Sequence, residues 1–377
     1  MVVPKKVRLE TVMSIETGSK NTENKVDGAK YPFFVRSQIV ERIADYSYDC
    51  EAVLTAGDGV GTGKVFHYIK GKFDAHQRVY VMSQFNGIDG KYFFYYFSRY
   101  FFDEVAKYTA KSSVDSVRRA MIADMEIPLP SLLEQRLIAE ALADTDALIL
   151  ALEKLIDKKR AIKQGTMQEL LTGKRRLDGF SGEWTTKPLL ECCDLLQGLT
   201  YSPNNVQSHG LLVLRSSNIQ GGQLAFDDCV YVDCIVDEMK YVKPKDILIC
   251  VRNGSSALIG KSCVIDKAYN ATFGAFMSVL RGDTTGYIAH IFGSDVVQQQ
   301  IRNRSNATIN QITKRDFEEI KIPVPYCEEE QIAIASILSD MDAEIDALNT
   351  KLDKFRNIKQ GMMSELLTGR IRLLEEV

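Results

Sequence analysis

The stretch best placed to do chemistry is Gly57-Asp58-Gly59-Val60-Gly61-Thr62-Gly63-Lys64, a glycine-rich run ending in lysine, the composition of a loop whose amides cradle phosphate. Its spacing refuses that role. A phosphate loop needs glycine at 58 and serine or threonine after the lysine, where the chain has Asp58 and Val65. The dinucleotide pattern fails at Thr62, where its third glycine belongs. A hairpin turn is the expected structure; close approach of Gly57, Gly59, Gly61 and Gly63 to nucleic-acid phosphates is the lesser alternative. The histidines 67, 76, 209 and 290 lie in unrelated surroundings, and the eight cysteines show no C-x-x-C spacing, which argues against zinc. No Ser/His/Asp or Cys/His pattern appears. Neither does the Asp/Asn-Pro-Pro-aromatic motif of amino-methyltransferases or a helicase motif. The expectation is a chain that performs no reaction by itself.

Two features could touch nucleic acid. Lys91 to Tyr108 gathers Tyr92, Phe93, Tyr96, Phe97 and Tyr100 at helical spacing; such a cluster can stack bases, but an aromatic helix is more often core. Net charge is −3, so any such binding must come from local basic patches such as Lys174-Arg175-Arg176. Unpaired thiols, no signal peptide and no apolar run of roughly 18 residues give the expectation of a cytoplasmic protein without membrane contact.

The elements that must position these residues are legible from a repeat. Glu134 to Leu177 and Glu330 to Leu373 align without a gap, with 26 of 44 positions identical. In the second copy Ile334, Leu338, Met341, Ile345, Leu348, Leu352, Phe355, Met362 and Leu366 alternate spacings of four and three, broken where Lys359 takes the seam. The first keeps the register with Ile138, Leu142, Ile149, Leu152, Ile156 and Leu170. Each copy stops at Thr-Gly, with Gly173 and Gly369 placed to end a helix. About 38 residues give a rod on the order of 55 Å. Two matching seams most simply form one coiled coil, antiparallel because a whole domain intervenes, which would send two heads to opposite ends. The competing arrangement packs each seam on its own neighbouring domain.

The remaining blocks also repeat, more loosely. Tyr31–Ile39, Glu51–Thr55, Val65–Tyr68 and Val79–Met82 read as strands of an α+β domain closed by Ile127-Pro128-Leu129-Pro130. Leu214 to Ile219 answers Val35 to Ile39, Asp246 to Val264 answers Glu51 to Val65, Asn306 to Phe317 answers Lys111 to Ile122, and Ile322-Pro323-Val324-Pro325 answers the first closure. The fold class is therefore α+β: two domains (1–130 and 180–325) joined by two long antiparallel coiled-coil helices (131–173 and 328–369), a pseudo-twofold tandem repeat. Conserved rods carrying diverged heads suggest one scaffold with two targets.

On these residues the chain resembles the specificity subunits of type I restriction-modification systems. The resemblance rests on the proline closures followed by Glu-Gln, the rods ending in Glu-Leu-Leu-Thr-Gly, and in the second head Leu214 to Ile219, Lys245 to Leu248, Gly260-Lys261-Ser262 and Phe273 to Phe276. Phe180, Gly182, Glu183 and Trp184 resemble the entry motif of such target-recognition domains; the first head has no Gly-x-Trp.

The resemblance implies a non-catalytic subunit reading double-stranded DNA, each head taking half of a bipartite target while the rods set the spacing. The implied partners are two adenine-N6 methyltransferase subunits and further restriction/translocase subunits. S-adenosylmethionine, ATP and Mg²⁺ would reside on those partners, and no cofactor or metal on this chain. The rods, with Lys158 and Arg160 matched by Lys354 and Arg356, would dock the methyltransferase pair. Base readout needs Arg, Lys, Asn or Gln, while other Lys, Ser and Thr hold phosphates. The candidates in the second head are Arg215, Asn218, Arg252, Asn253, Ser255, Lys261, Arg304, Asn306, Asn310, Gln311, Lys314 and Arg315, the last six in a polar loop Asn303 to Arg315. Their first-head counterparts are Arg36, Gln38, Lys64, Lys111, Ser112, Arg118 and Arg119. A coiled-coil scaffold without DNA readout and a stand-alone nuclease are the alternatives.

Overall fold

Strand Tyr48–Ala56 ends in five buried residues, Ala52 to Ala56, apolar but for Thr55, as a strand covered on both faces does. In this computed structural model, which describes residues 4–108, 116–305 and 310–374, it is central to a six-stranded sheet. The order is Ser14–Thr17, Val79–Ser83, Tyr48–Ala56, Phe66–Ala75, Tyr31–Phe34, Glu41–Ile43. All pairings are antiparallel except that of Tyr31–Phe34 with the end of Phe66–Ala75. Alternation along the strands sends Val53 and Met82 to one face, against helix Gly90–Ala106. Ala52, Leu54, Val79 and Val81 go to the other, with Phe34 and Phe73. The aromatic helix is core: Tyr92, Phe93, Phe97 and Phe101 are fully buried, each burial worth about 1.5–3 kcal/mol. Asp89 starts it by accepting from the amides of Lys91 and Tyr92 at 3.0 Å each.

The chain divides into two compact units, Met1–Lys154 with Asn349–Val377 and Leu155–Leu348. The second unit builds the same plan with a broken sheet. Asp194–Gln197, Met277–Arg281, Ile247–Cys250 and Ser262–Val264 form one four-stranded sheet; Val206–Gln207, Val230–Val232, Leu211–Leu214 and Ala271–Phe273 form another. The parallel pair recurs, Leu211–Leu214 with Ala271–Phe273. The single 17-residue aromatic helix becomes two, Tyr287–Gly293 and Asp295–Ser305.

Internal contacts fix the correspondence residue by residue. Gly57 N bonds Arg78 O in one head as Val251 N bonds Phe276 O in the other; Val117 N bonds Gly57 O as Ile312 N bonds Val251 O. The Tyr92 hydroxyl donates to Pro128 O as that of Tyr287 does to Pro323 O, both at 2.9 Å. Gly18 and Gly198 occupy one role, since a Cβ there would lie 2.1 Å from Ala75 O and 2.0 Å from Gly274 O. Each head closes with a strand pair, Lys6–Arg8 with Glu126–Pro128 and Trp184–Pro188 with Lys321–Pro325. In that register Pro4 stands where Trp184 does, and both pack on the glycine ending a long helix, Gly369 and Gly173. The first head thus keeps the entry strand without the Gly-x-Trp.

The two long helices are Leu132–Leu170 and Glu328–Leu366, 39 residues each. The ends expected at 173 and 369 are left-handed turns at Gly173 (φ 69°) and Gly369 (φ 72°). Within each unit the helix segments run antiparallel. In the first, Glu153 meets Arg356 at 2.7 Å, Asp146 meets Lys359 at 2.5 Å and Glu134 meets Arg372 at 2.7 Å. In the second, Lys159 meets Glu344 at 2.6 Å, Lys163 pairs with Asp342 and Arg176 meets Glu330 at 2.7 Å. Lys163–Asp342 and Lys359–Asp146 are one pair in two copies, as are Arg176–Glu330 and Arg372–Glu134. The seam residues Ile138, Leu142, Leu152, Ile156, Ile334, Leu338, Ile345, Leu352 and Leu366 are buried. Their outer members also pack on the heads: Ile138, Leu142 and Leu366 share a core with Tyr92, and Ile334 and Leu338 with Tyr287. Both arrangements weighed from sequence therefore operate, at different points along the seam. Of the matched exposed cations, Arg356 is engaged with Glu153 and Arg160 lies near Asp157.

Candidate nucleic-acid interface

Residues 57 to 65 join strands Tyr48–Ala56 and Phe66–Ala75 as a hairpin loop. Its glycines serve packing. A Cβ on Gly57 would come within 3.0 Å of Arg78 O, one on Gly61 within 2.7 Å of Arg36 O, and one on Gly59 lies 3.9 Å from the Arg36 guanidinium. Two arginine-bearing segments thereby close on Asp58. Arg36 Nη1 donates to one carboxylate oxygen at 2.8 Å and Arg78 Nη1 to the other. The Asp58 side chain is 18% exposed, Arg36 44% and Arg78 61%, so the acid is a half-buried hub and the cations face out. Burial alone would push the Asp58 carboxyl up, but the two guanidiniums outweigh it and hold it below the usual carboxylate range. His76 is buried and its imidazole is pushed down, chiefly by burial and then by Arg36; its Nδ1 accepts the Arg78 amide at 3.0 Å.

At the same backbone positions the second head carries Arg252 for Asp58 and Phe276 for Arg78. The Arg252 guanidinium lies 5.2 Å from the centre of the Phe276 ring, which is itself exposed. Beside them opens a cleft of about 280 Å³, lined among others by Gln197, Thr200, Ser278, Gln311 and Lys314. Its counterpart in the first head is filled. Tyr80 stands where Ser278 does, its hydroxyl donating to Val117 O at 3.2 Å, and Arg119 Nε donates to Ile15 O at 3.2 Å.

The other expected readers divide. Gln38 is exposed and donates to Phe66 O at 3.4 Å; Lys64 sits over the Phe102 ring at 5.8 Å; Arg118 is exposed at the start of helix Arg119–Ala123. Lys111, Ser112 and Asn306 lie outside the described residues. Arg215 is tied to Asp228 at 2.7 Å. Asn253 donates to Ser216 Oγ at 3.1 Å and accepts from the exposed Ser255 at 3.0 Å; Lys261 is half-buried. Asn310 donates to Gly254 O at 3.1 Å and Gln311 bridges the backbone of Arg252, so these two do join the Arg252 loop.

Two assignments are corrected. Asn218 is fully buried: its Oδ1 accepts from Arg215 N at 2.9 Å and its Nδ2 donates to Ala225 O and Asp228 O at 2.9 and 3.0 Å, leaving nothing for a base. The segment 303–315 is not one loop. Arg304 belongs to helix Asp295–Ser305 and donates to Gln300 O and Glu319 O, while Lys314 and Arg315 open helix Lys314–Glu319 with Arg315 reaching Glu319 at 3.7 Å. Arg78 was not among the expected readers and Phe276 entered only within the Phe273 to Phe276 motif, because each sits in a short turn before a strand. Only the register between the heads exposes them.

Among the described residues no group of three or more His, Cys, Asp or Glu side chains is placed to hold a metal, and no helix is long and apolar enough to cross a membrane. The model of the type I restriction modification DNA specificity domain matches residues 4–164 and 182–355. The specificity subunit of the type I restriction enzyme StySPI from Salmonella potsdam is 31% identical over 201 residues, 50% of this chain and 43% of that protein. That of EcoKI from Escherichia coli K12 is 30% identical over 197 residues, 50% and 42%. These matches span less than half of the curated relatives' length. The crystal structure of the type I restriction-modification S subunit from M. genitalium shares the fold, with a TM-score of 0.69 at 15% identity over 96% of each chain.

Proposed function

Because the chain belongs to the family of the type I restriction modification DNA specificity domain, which it contains twice, we propose that it is the DNA-reading, non-catalytic subunit of a type I restriction-modification complex. Each head takes one half of a bipartite, asymmetric site in double-stranded DNA, and the long helices set the gap and dock two adenine-N6 methyltransferase subunits. Those subunits bring S-adenosylmethionine, and restriction/translocase subunits bring ATP and Mg²⁺ chemistry, in the cytoplasm. The observation that carries this reading is that one head plan is built twice, with matching backbone bonds, while the side chains at matching loop positions change from Asp58 and Arg78 to Arg252 and Phe276. A shared backbone with exchanged tips suits two readers of different sequence, since base contacts specify while the frame positions.

The test is selection from a random duplex library by the chain assembled with its methyltransferase partner. The expected product is two short sequence blocks separated by a gap of fixed length. A contiguous motif, or cleavage of DNA by the purified chain and Mg²⁺ alone, would contradict the proposal.

A further inference from the structure

We infer that the Asp58-centred arginine pair is the specificity element of the first head, with Arg78 the residue that reads a guanine. This rests on the DNA-reading function proposed above. A bidentate contact to guanine O6 and N7 needs a guanidinium whose plane is already oriented. Arg78 has that: one nitrogen is held by Asp58, its backbone amide by His76, and its carbonyl by the Gly57 amide at 2.8 Å, while most of its side chain faces solvent. The glycine hairpin supplies the close packing that makes this possible, which gives that run a role its sequence pattern could not assign.

Charge favours a base over a phosphate. Two arginines on one carboxylate carry a net charge of about +1, weaker as an anion trap than a bare pair, and the shared acid spends donors on orientation. Arg36 is the second arm, less exposed and held on the opposite oxygen. Among the described residues the second head shows no such hub at the matching positions. Its Arg252 rests on an aromatic face instead.

The experiment is duplex selection by the full complex with the methyltransferase partner, using Arg78→Ala, Arg78→Lys and Asp58→Asn. The lysine variant keeps the charge but loses the fork. All three should relax one G·C position in one half-site, by about 5- to 150-fold for the alanine change, with the other half-site selected as before. Retained selection at the remaining positions of the affected half-site reports that the first head is folded. A uniform weakening across sequences that Arg78→Lys restores would make Arg78 a phosphate contact and overturn the inference. So would unchanged selection by Arg78→Ala. Failure of the unmutated complex to select any split sequence would instead remove the function on which the inference rests.

Discussion

The two heads share a backbone plan and almost nothing at the tip. Arg78 on Asp58 in one is Arg252 on Phe276 in the other, and a cleft filled by Tyr80 in one stands open beside Ser278 in the other. The helical segments behave oppositely: Lys163–Asp342 and Arg176–Glu330 recur as Lys359–Asp146 and Arg372–Glu134 with the same partners at the same spacing. The difference teaches where change is tolerated. Removing the arginine from a buried glutamate such as Glu134 or Glu330 leaves a costly charge, whereas an exposed tip residue can be exchanged at little structural cost.

The largest effects are expected where the copies agree. Arg372→Ala and Arg176→Ala each remove the arginine partner of a glutamate that is 1% exposed, Glu134 and Glu330. Each should lower stability in urea unfolding by about 3–5 kcal/mol. Losses differing by several kcal/mol would break the view that the scaffold is symmetric. Next come Gly18→Ala and Gly198→Ala, whose new methyl would collide with a carbonyl oxygen; a loss of roughly 1–3 kcal/mol in each head is expected from thermal melts.

Acid sensitivity follows from the first pair. Arg372 above all, despite the opposing pull of burial, holds the Glu134 carboxyl below its usual range. A carboxylate with a depressed folded-state pKa contributes stability that is complete above its unfolded value, about 4.3, and is lost as pH falls through the folded value. Glu134→Gln should therefore flatten the acid limb of the stability-versus-pH curve below about pH 5. An unchanged limb would show that other carboxylates dominate. The smallest structural effect belongs to Ser278→Tyr. It copies Tyr80 into the open cleft, aims a hydroxyl toward the Ile312 carbonyl, and should cost about 1 kcal/mol, the low end for added bulk, because the cleft has room. The same change should alter selection in the second half-site alone.

What the sequence made legible follows from what sequence encodes. The helices and their capping glycines were readable because a seam and a left-handed turn are local patterns, and Lys359 marked its own break in the seam, where Asp146 receives it. The aromatic helix was readable as core for the same reason. The tips were not, because residue type does not report burial. Asn218 has the chemistry of an adenine reader and is walled in by three backbone groups. Arg304 looked like loop and lies in a helix. Arg78, in a short turn before a strand, acquires meaning only when folding brings Asp58 beneath it.

The central claim, two independent readers on one repeated frame, is tested most directly by duplex selection with the assembled complex carrying Arg252→Ala, compared with the unmutated complex. The account predicts that one half-site loses discrimination while the other half-site and the gap length stay fixed. Simultaneous loss in both halves, or a change in the gap, would contradict it.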